Sequence, residues 1–270
     1  MLQWKNKVTT GYSKNGLPYM RIEGGPRILV IFEGLNFSHK PPSGMTLRWT
    51  GNMYKAFTSR YTIYNIGRKP GLTEGYSIKN MSDDYATMIE NEMETPVDLV
   101  GMSTGGTIAQ QFAVDHPELV RRLVLASTGY RLSESGAIAQ RKIINFTRQE
   151  KWRSAAAVMA GVMASGMISP VLKSFFWILG RGMFGSPDDP SDGLAELEAE
   201  DRFNFKERLV GIKMPTLVIG GENDRFYPVP ETAAGIPSAK LILYKNAGHM
   251  AVMKRRFNRD VLAFLTEDGV

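Results

Sequence analysis

An α/β protein, with a mostly parallel central sheet flanked by helices, is what this sequence predicts, and three observations carry that reading. Continuous apolar runs of strand length recur, as at 28–32 and 61–66, the pattern of strands covered on both faces. Stretches of helical periodicity alternate with them, the order that builds a parallel sheet. A glycine-rich turn, Gly101-Met102-Ser103-Thr104-Gly105-Gly106, joins one such strand to a helix.

The elements follow in order. Residues 7–13 and 18–23 flank Asn15-Gly16 and predict antiparallel N-terminal strands joined by a tight turn. The core strand 28–32 and the strand 61–66 come next, then a helix over 82–94 with Ser82 as its N-cap. Strand 97–100 leads through the glycine-rich turn into a helix over 107–114, which His116-Pro117 closes. Strand 122–126 is the sixth. From about 130 to 204 the sequence is helical and rich in Ala, Met and Phe, with no strand. Alternation then resumes with strands 216–219 and 241–244 and a closing helix over 251–266. The simplest organisation is one core domain, residues 1–129 and 205–270, carrying a helical cap (lid) at 130–204, inserted after the sixth strand.

Composition narrows the function. Hydrophobic residues at 43% and charged residues at 22% are those of an ordinary globular protein. The net charge of +6 is scattered and its densest run, Lys254-Arg255-Arg256, is short, so no nucleic-acid partner is expected. Cys is absent, which excludes disulfides, thiolate catalysis and Cys-ligated metals; no cofactor or metal is expected. The N-terminus reads as lacking a signal peptide, the sequons at Asn36, Asn80 and Asn145 as chance, and the protein as cytoplasmic. The apolar stretch 168–184 is broken by Pro170, Lys173, Gly180 and Arg181 and makes a poor membrane span.

The glycine-rich turn matches G-x-S-x-G between a strand and a helix, the setting of a nucleophile elbow. A sharp turn there strains the central residue and lifts its side chain clear of the sheet. Gly101 and Gly105 are the small residues such a turn needs, and Gly106 lets the helix approach closely. Ser103 is therefore the candidate nucleophile. It needs a base, and the chain has three histidines. His116 reads as a surface or capping residue, and His39 stands in a loop after the first core strand. His249 follows the last core strand, at the sheet edge where ligands bind, and is the candidate base. On the same edge the loop after strand 216–219 offers Asp224 to orient the imidazole, with Glu222 as its competitor. Asp188, Asp189 and Asp192 read as solvated loop residues.

These residues give the chain a resemblance to the α/β-hydrolase superfamily over nearly its whole length, in the order Ser103, Asp224, His249. The segment from His116-Pro117-Glu118 to Leu125 is similar to members bearing a cap. The resemblance implies an oxyanion hole of two backbone N–H groups, those of Leu35 and Thr104. Where the family's loop usually begins His-Gly, this chain has Glu33-Gly34. A carboxylate there would oppose developing negative charge, so Glu33 is expected to turn away from the hole and to be hydrogen-bonded or paired, with Arg48 or Lys40 as the candidate partners.

Met159, Met163, Met167, Phe175, Phe176, Trp177, Met183 and Phe184 in the insertion suit an adaptable apolar pocket, and Arg181 could meet a carboxylate. The expected function is hydrolysis of a small-molecule carboxylic ester or lactone with a hydrophobic moiety, through an acyl-enzyme. The same triad also serves acyl transfer, perhydrolysis of the haloperoxidase kind, and C–C bond hydrolysis or lysis; a non-catalytic receptor of the same fold is the alternative from another class.

Overall fold

The computed structural model describes residues 6–163 and 190–267. The stretch 168–184 with its aromatics, together with Met167, Asp188 and Asp189, lies outside them. Eight strands form one sheet: β1 (Val8–Tyr12), β2 (Pro18–Ile22), β3 (Arg27–Phe32), β4 (Tyr61–Ile66), β5 (Val97–Met102), β6 (Val120–Ala126), β7 (Thr216–Gly221) and β8 (Lys240–Tyr244). Their order across the sheet is β1-β2-β4-β3-β5-β6-β7-β8. Only the β1–β2 and β2–β4 pairings are antiparallel; the rest are parallel.

The alternation of side chains divides the core in two. On β3, Val30 and Phe32 face one cluster and Leu29 and Ile31 the other, all at most 1% exposed. The first face is covered by α2 (Ile78–Glu92) and α3 (Thr104–Asp115). Phe32 stacks on Tyr85 of α2 at 4.0 Å and meets Phe112 of α3 edge-on at 5.3 Å. The second face is covered by the end of α1 (Gly44–Tyr54), through Tyr54, and by a helix over Phe257–Leu265, through Phe257, Val261 and Phe264. Burial on both faces is what made these strands read as continuous apolar runs.

Among the described residues three helices, α4 (Glu134–Arg148), α5 (Trp152–Met163) and α6 (Ser191–Asp201), lie between β6 and β7; α7 (Val229–Gly235) and α8 (Phe257–Leu265) complete the described helices of length. Among the described residues no helix is long and apolar enough to cross a membrane.

The structure corrects several boundaries. Helix α2 begins at Ile78, capped by Ser77, whose side chain and that of Asn80 satisfy each other's backbone N–H groups; Ser82 is buried within the helix. This reciprocal cap outcompetes a later start because it pairs two otherwise orphaned donors. The connection around Asn15-Gly16 spans five residues, since β1 ends at Tyr12 and β2 starts at Pro18. It is closed by Ser13, whose N–H reaches the Leu17 carbonyl and whose Oγ accepts from the Leu17 N–H. The expected closing helix is a 3-10 turn over His249–Met253, a break at Lys254 in extended conformation, and then α8. Helices α1 and α7 had no counterpart in the sequence reading, and α1 buries only Thr50, Gly51 and Tyr54.

Candidate active site

Parallel pairing brings the carboxyl ends of β3, β5, β6, β7 and β8 to one sheet edge, where ligands bind in open α/β sheets. Ser103 stands there between β5 and α3, with φ 52° and ψ −124°. This is a sparsely populated conformation for a residue with a Cβ, costing about 1–3 kcal/mol. It is held in place because the Ser103 N–H donates to Ala126 O at 3.0 Å and its carbonyl accepts from Gly106 N–H at 2.8 Å. The glycines are required by close backbone approaches on both sides of the serine. A Cβ on Gly105 would lie 2.2 Å from Phe32 O and 2.4 Å from Glu33 O, the end of β3, whereas one on Gly101 would strike Ala109 Cβ at 2.5 Å. Gly106 fits against Thr128, 2.3 Å from such a Cβ.

Ser103 Oγ lies 3.0 Å from Nε2 of His249, and His249 Nδ1 lies 3.0 Å from Oδ2 of Asp224. The side chains of His249 and Asp224 are 5% and 1% exposed, so the pair acts in a water-poor setting where its attraction is strong. Phe226 and Tyr227 lie beside the imidazole, their rings tilted to it, at centroid distances of 5.1 and 5.6 Å. Asn223 N–H donates to Ala247 O and Glu222 N–H to Tyr244 O, tying the loop after β7 to the loop after β8. Glu222 itself is exposed. The other two histidines stand elsewhere: His116 Nε2 faces Asp83 at 3.3 Å, and the buried His39 faces Lys69 O and Glu196.

Leu35 and Thr104 line one cavity with Ser103 and His249. The Glu33 carboxylate does not meet Arg48 or Lys40. Its Oε1 accepts from Asn36 Nδ2 at 3.1 Å and its Oε2 from Asn65 Nδ2 at 3.0 Å. Neutral amides suffice because they satisfy both oxygens without a second charge to desolvate. The arginine of the loop is Arg68, 1% exposed. It donates at 2.6 Å to the carbonyls of both Glu33 and Gly34 and pairs with Glu196 of α6 at 2.5 Å.

The cavity, of about 640 Å³, has an apolar wall that includes Met53, Tyr54, Met159, Met163, Phe226 and Val252, and a polar wall of Thr104, Gln140, Glu200 and Tyr227. Glu200 was not anticipated. Buried, it accepts from Thr104 Oγ1 and Gln140 Nε2 at 3.1 Å and from Tyr227 OH at 2.5 Å. Desolvation raises its pKa, and Glu196 raises it further, against those three hydrogen bonds. The Tyr227 hydroxyl is held protonated well above its usual range, by burial first and by Glu200 next. Asp192, expected in a solvated loop, accepts from the Gly71 and Leu72 N–H groups at 3.0 and 2.6 Å. The spacing of the acids in the sequence shows a shared face but not that the face is covered. Asp192, Glu196 and Glu200 recur at i, i+4 and i+8 and so share one face of α6. Glu90, His116 and Glu118 cluster closely enough to hold a cation, but the two glutamates are exposed, and such groups are common without an ion.

A strained serine at a strand-to-helix turn, on the carboxyl edge of a mostly parallel eight-stranded sheet, defines the class of α/β hydrolytic folds. The chain belongs to the alpha/beta hydrolase family, which it matches over residues 47–259. It is 27% identical, over 96% of its length and 94% of the relative's, to a 2-hydroxy-6-oxononadienedioate/2-hydroxy-6-oxononatrienedioate hydrolase of a Pseudomonas species. Its fold is similar to that of the enol-lactonase from Burkholderia xenovorans, with TM-score 0.74, 19% identity and coverage of 96% and 100%. It is similar also to a bromoperoxidase from Bacillus anthracis, with TM-score 0.72, 20% identity and coverage of 97% and 100%. The chain is thus a hydrolase-family protein by sequence as well as by fold.

Proposed function

We propose that the protein is a serine hydrolase that cleaves a small carboxylic ester or lactone with a hydrophobic moiety through an acyl-enzyme. The observation that carries this reading is the unbroken run Ser103 Oγ, His249, Asp224, with both links at 3.0 Å and the serine in its strained turn. His249 takes the proton of Ser103 as Oγ attacks the carbonyl carbon, and Asp224 stabilises the imidazolium. The N–H groups of Leu35 and Thr104 receive the oxyanion. The proton then passes from His249 to the leaving alcohol, and water, activated by the same imidazole, releases the acid. The cap is residues 130–204 on a core of 1–129 and 205–270, and it supplies Met159, Met163, Gln140 and Glu200 to the pocket.

Hydrolysis of a C–C bond in a dioxo acid is the second reading, favoured by the similarity to the Pseudomonas hydrolase. The charge of the cavity favours the first. Among the described lining residues the charged side chains are Glu33, Glu200 and Lys40, and only the lysine is exposed. A dianionic substrate would bring further negative charge against the half-buried Glu33 and the buried Glu200. A fluorophosphonate probe and a panel of p-nitrophenyl esters test the proposal. Covalent labelling of Ser103 and turnover that disappears in Ser103→Ala are expected; a folded protein that neither labels nor hydrolyses any ester rejects it.

A further inference from the structure

The acidic face of α6 reaches the Gly34–Leu35 peptide and the Thr104 side chain by separate routes. Glu196 pairs with Arg68, and Arg68 grips the carbonyls of Glu33 and Gly34. The Gly34 carbonyl and the Leu35 N–H belong to one planar trans peptide and point in opposite directions. A guanidinium that fixes the carbonyl therefore fixes the direction of the N–H. One turn further along α6, Glu200 accepts from the Thr104 hydroxyl, whose backbone N–H is the other donor. At the opposite end of the same face, Asp192 anchors α6 through the N–H groups of Gly71 and Leu72.

We propose that Arg68, Glu196 and Glu200 are positioning residues for the oxyanion hole, so that α6 aims both of its donors. This deepens the proposed hydrolase reading and rests on it. The charges suit the task. Arg68 polarises the peptide it holds, which strengthens the N–H as a donor, and Glu196 balances a guanidinium that is 1% exposed. Glu200 holds Thr104 without a cation of its own, through Tyr227 and Gln140.

Removing Arg68 alone would take the guanidinium counterion from the buried Glu196 and leave its carboxylate facing only His39 among the described side chains, and breaking a buried pair in this way is strongly destabilising. The test therefore replaces the pair, Arg68→Met with Glu196→Met, since an apolar pair of similar volume can keep the fold. Loss of aim at one donor should lower kcat by on the order of 10²-fold with KM within about threefold, as for the removal of an oxyanion donor. Glu200→Met should act in the same direction, and Glu200→Gln should restore most of the rate. Arg148→Ala breaks the exposed pair with Glu198 on the outer side of α6 and should change nothing. The backbone amide resonances of Leu35 and Thr104 give a readout that needs no turnover: the Arg68/Glu196 double variant should shift the first and Glu200→Met the second. A protein inactive on esters would defeat the hydrolase reading while leaving these shifts to be measured. Unmoved amides, or a folded double variant with full kcat, would overturn the positioning role.

Discussion

Asp224 is held at both of its oxygens. Oδ2 lies 3.0 Å from Nδ1 of His249, while Oδ1 accepts the backbone N–H groups of Phe226 and Tyr227 at 2.8 and 3.2 Å. Those two N–H groups dictate the outcome of Asp224→Asn. The amide must turn its oxygen toward them, which aims its NH2 at Nδ1. His249 is then driven to carry its proton on Nε2, where a base facing Ser103 needs a lone pair. We expect a folded protein with kcat lower by about 10³–10⁴-fold, the size of effect a wrong tautomer gives in a serine triad. Steady-state hydrolysis of p-nitrophenyl butyrate measures it.

Gly105→Ala should destabilise the fold. The new Cβ would stand 2.2 Å from Phe32 O and 2.4 Å from Glu33 O, both backbone atoms that no rotamer change can move. Overpacking of this kind costs about 1–3 kcal/mol, read as a lower urea midpoint at unchanged slope. Because the displaced carbonyls begin the loop that holds Leu35, activity should fall as well.

Glu200→Gln should change how stability depends on pH. The pKa of Glu200 is raised in the folded protein, chiefly by burial. Stability from its bound proton is fully present below the unfolded carboxylate value of about 4.3 and is lost as pH rises through the folded value. The variant should therefore melt higher than the parent at neutral pH, with the gap closing toward pH 4. Melting curves across that range decide it; a constant gap would contradict the assignment.

Substrate charge should matter more than chain length. With Glu33 and Glu200 in the cavity and Lys40 exposed, a p-nitrophenyl butyrate should exceed the matching hemisuccinate in kcat/KM by about tenfold or more, roughly 1.4 kcal/mol. Glu200→Gln should narrow the ratio.

What the sequence made legible was local. Ser103 could be singled out as a candidate from a turn of six residues between a strand and a helix, and Asp224 and His249 from loops that follow core strands; the structure brings the three side chains together. Of the groups that hold Glu33, Asn36 is three residues away, but Asn65 and Arg68 were not legible, because they lie in β4 and just beyond its end, and β4 is a neighbour of β3 only once the sheet is paired. Helix α1 escaped because, of the three residues it buries, Thr50, Gly51 and Tyr54, only the tyrosine is a large apolar one. The three acids of α6 were hidden for a different reason. Acidic residues at helical spacing are ordinarily a solvated face, and nothing short of the packing of α6 shows that Glu196 and Glu200 are fully covered.

The acidic face of α6 has a consequence for engineering. Substrate range in proteins of this architecture invites redesign by grafting a foreign cap onto a retained core. Exchange of residues 130–204 in this way would carry away Glu196 and Glu200, which meet Arg68 and Thr104, and would take from a buried guanidinium its ion-pair partner Glu196. A chimera that exchanges α4 and α5 but keeps the native chain from Pro190 onward respects that dependence; one that exchanges all three helices must bring replacements for Glu196 and Glu200 or lose its chemistry along with its old specificity.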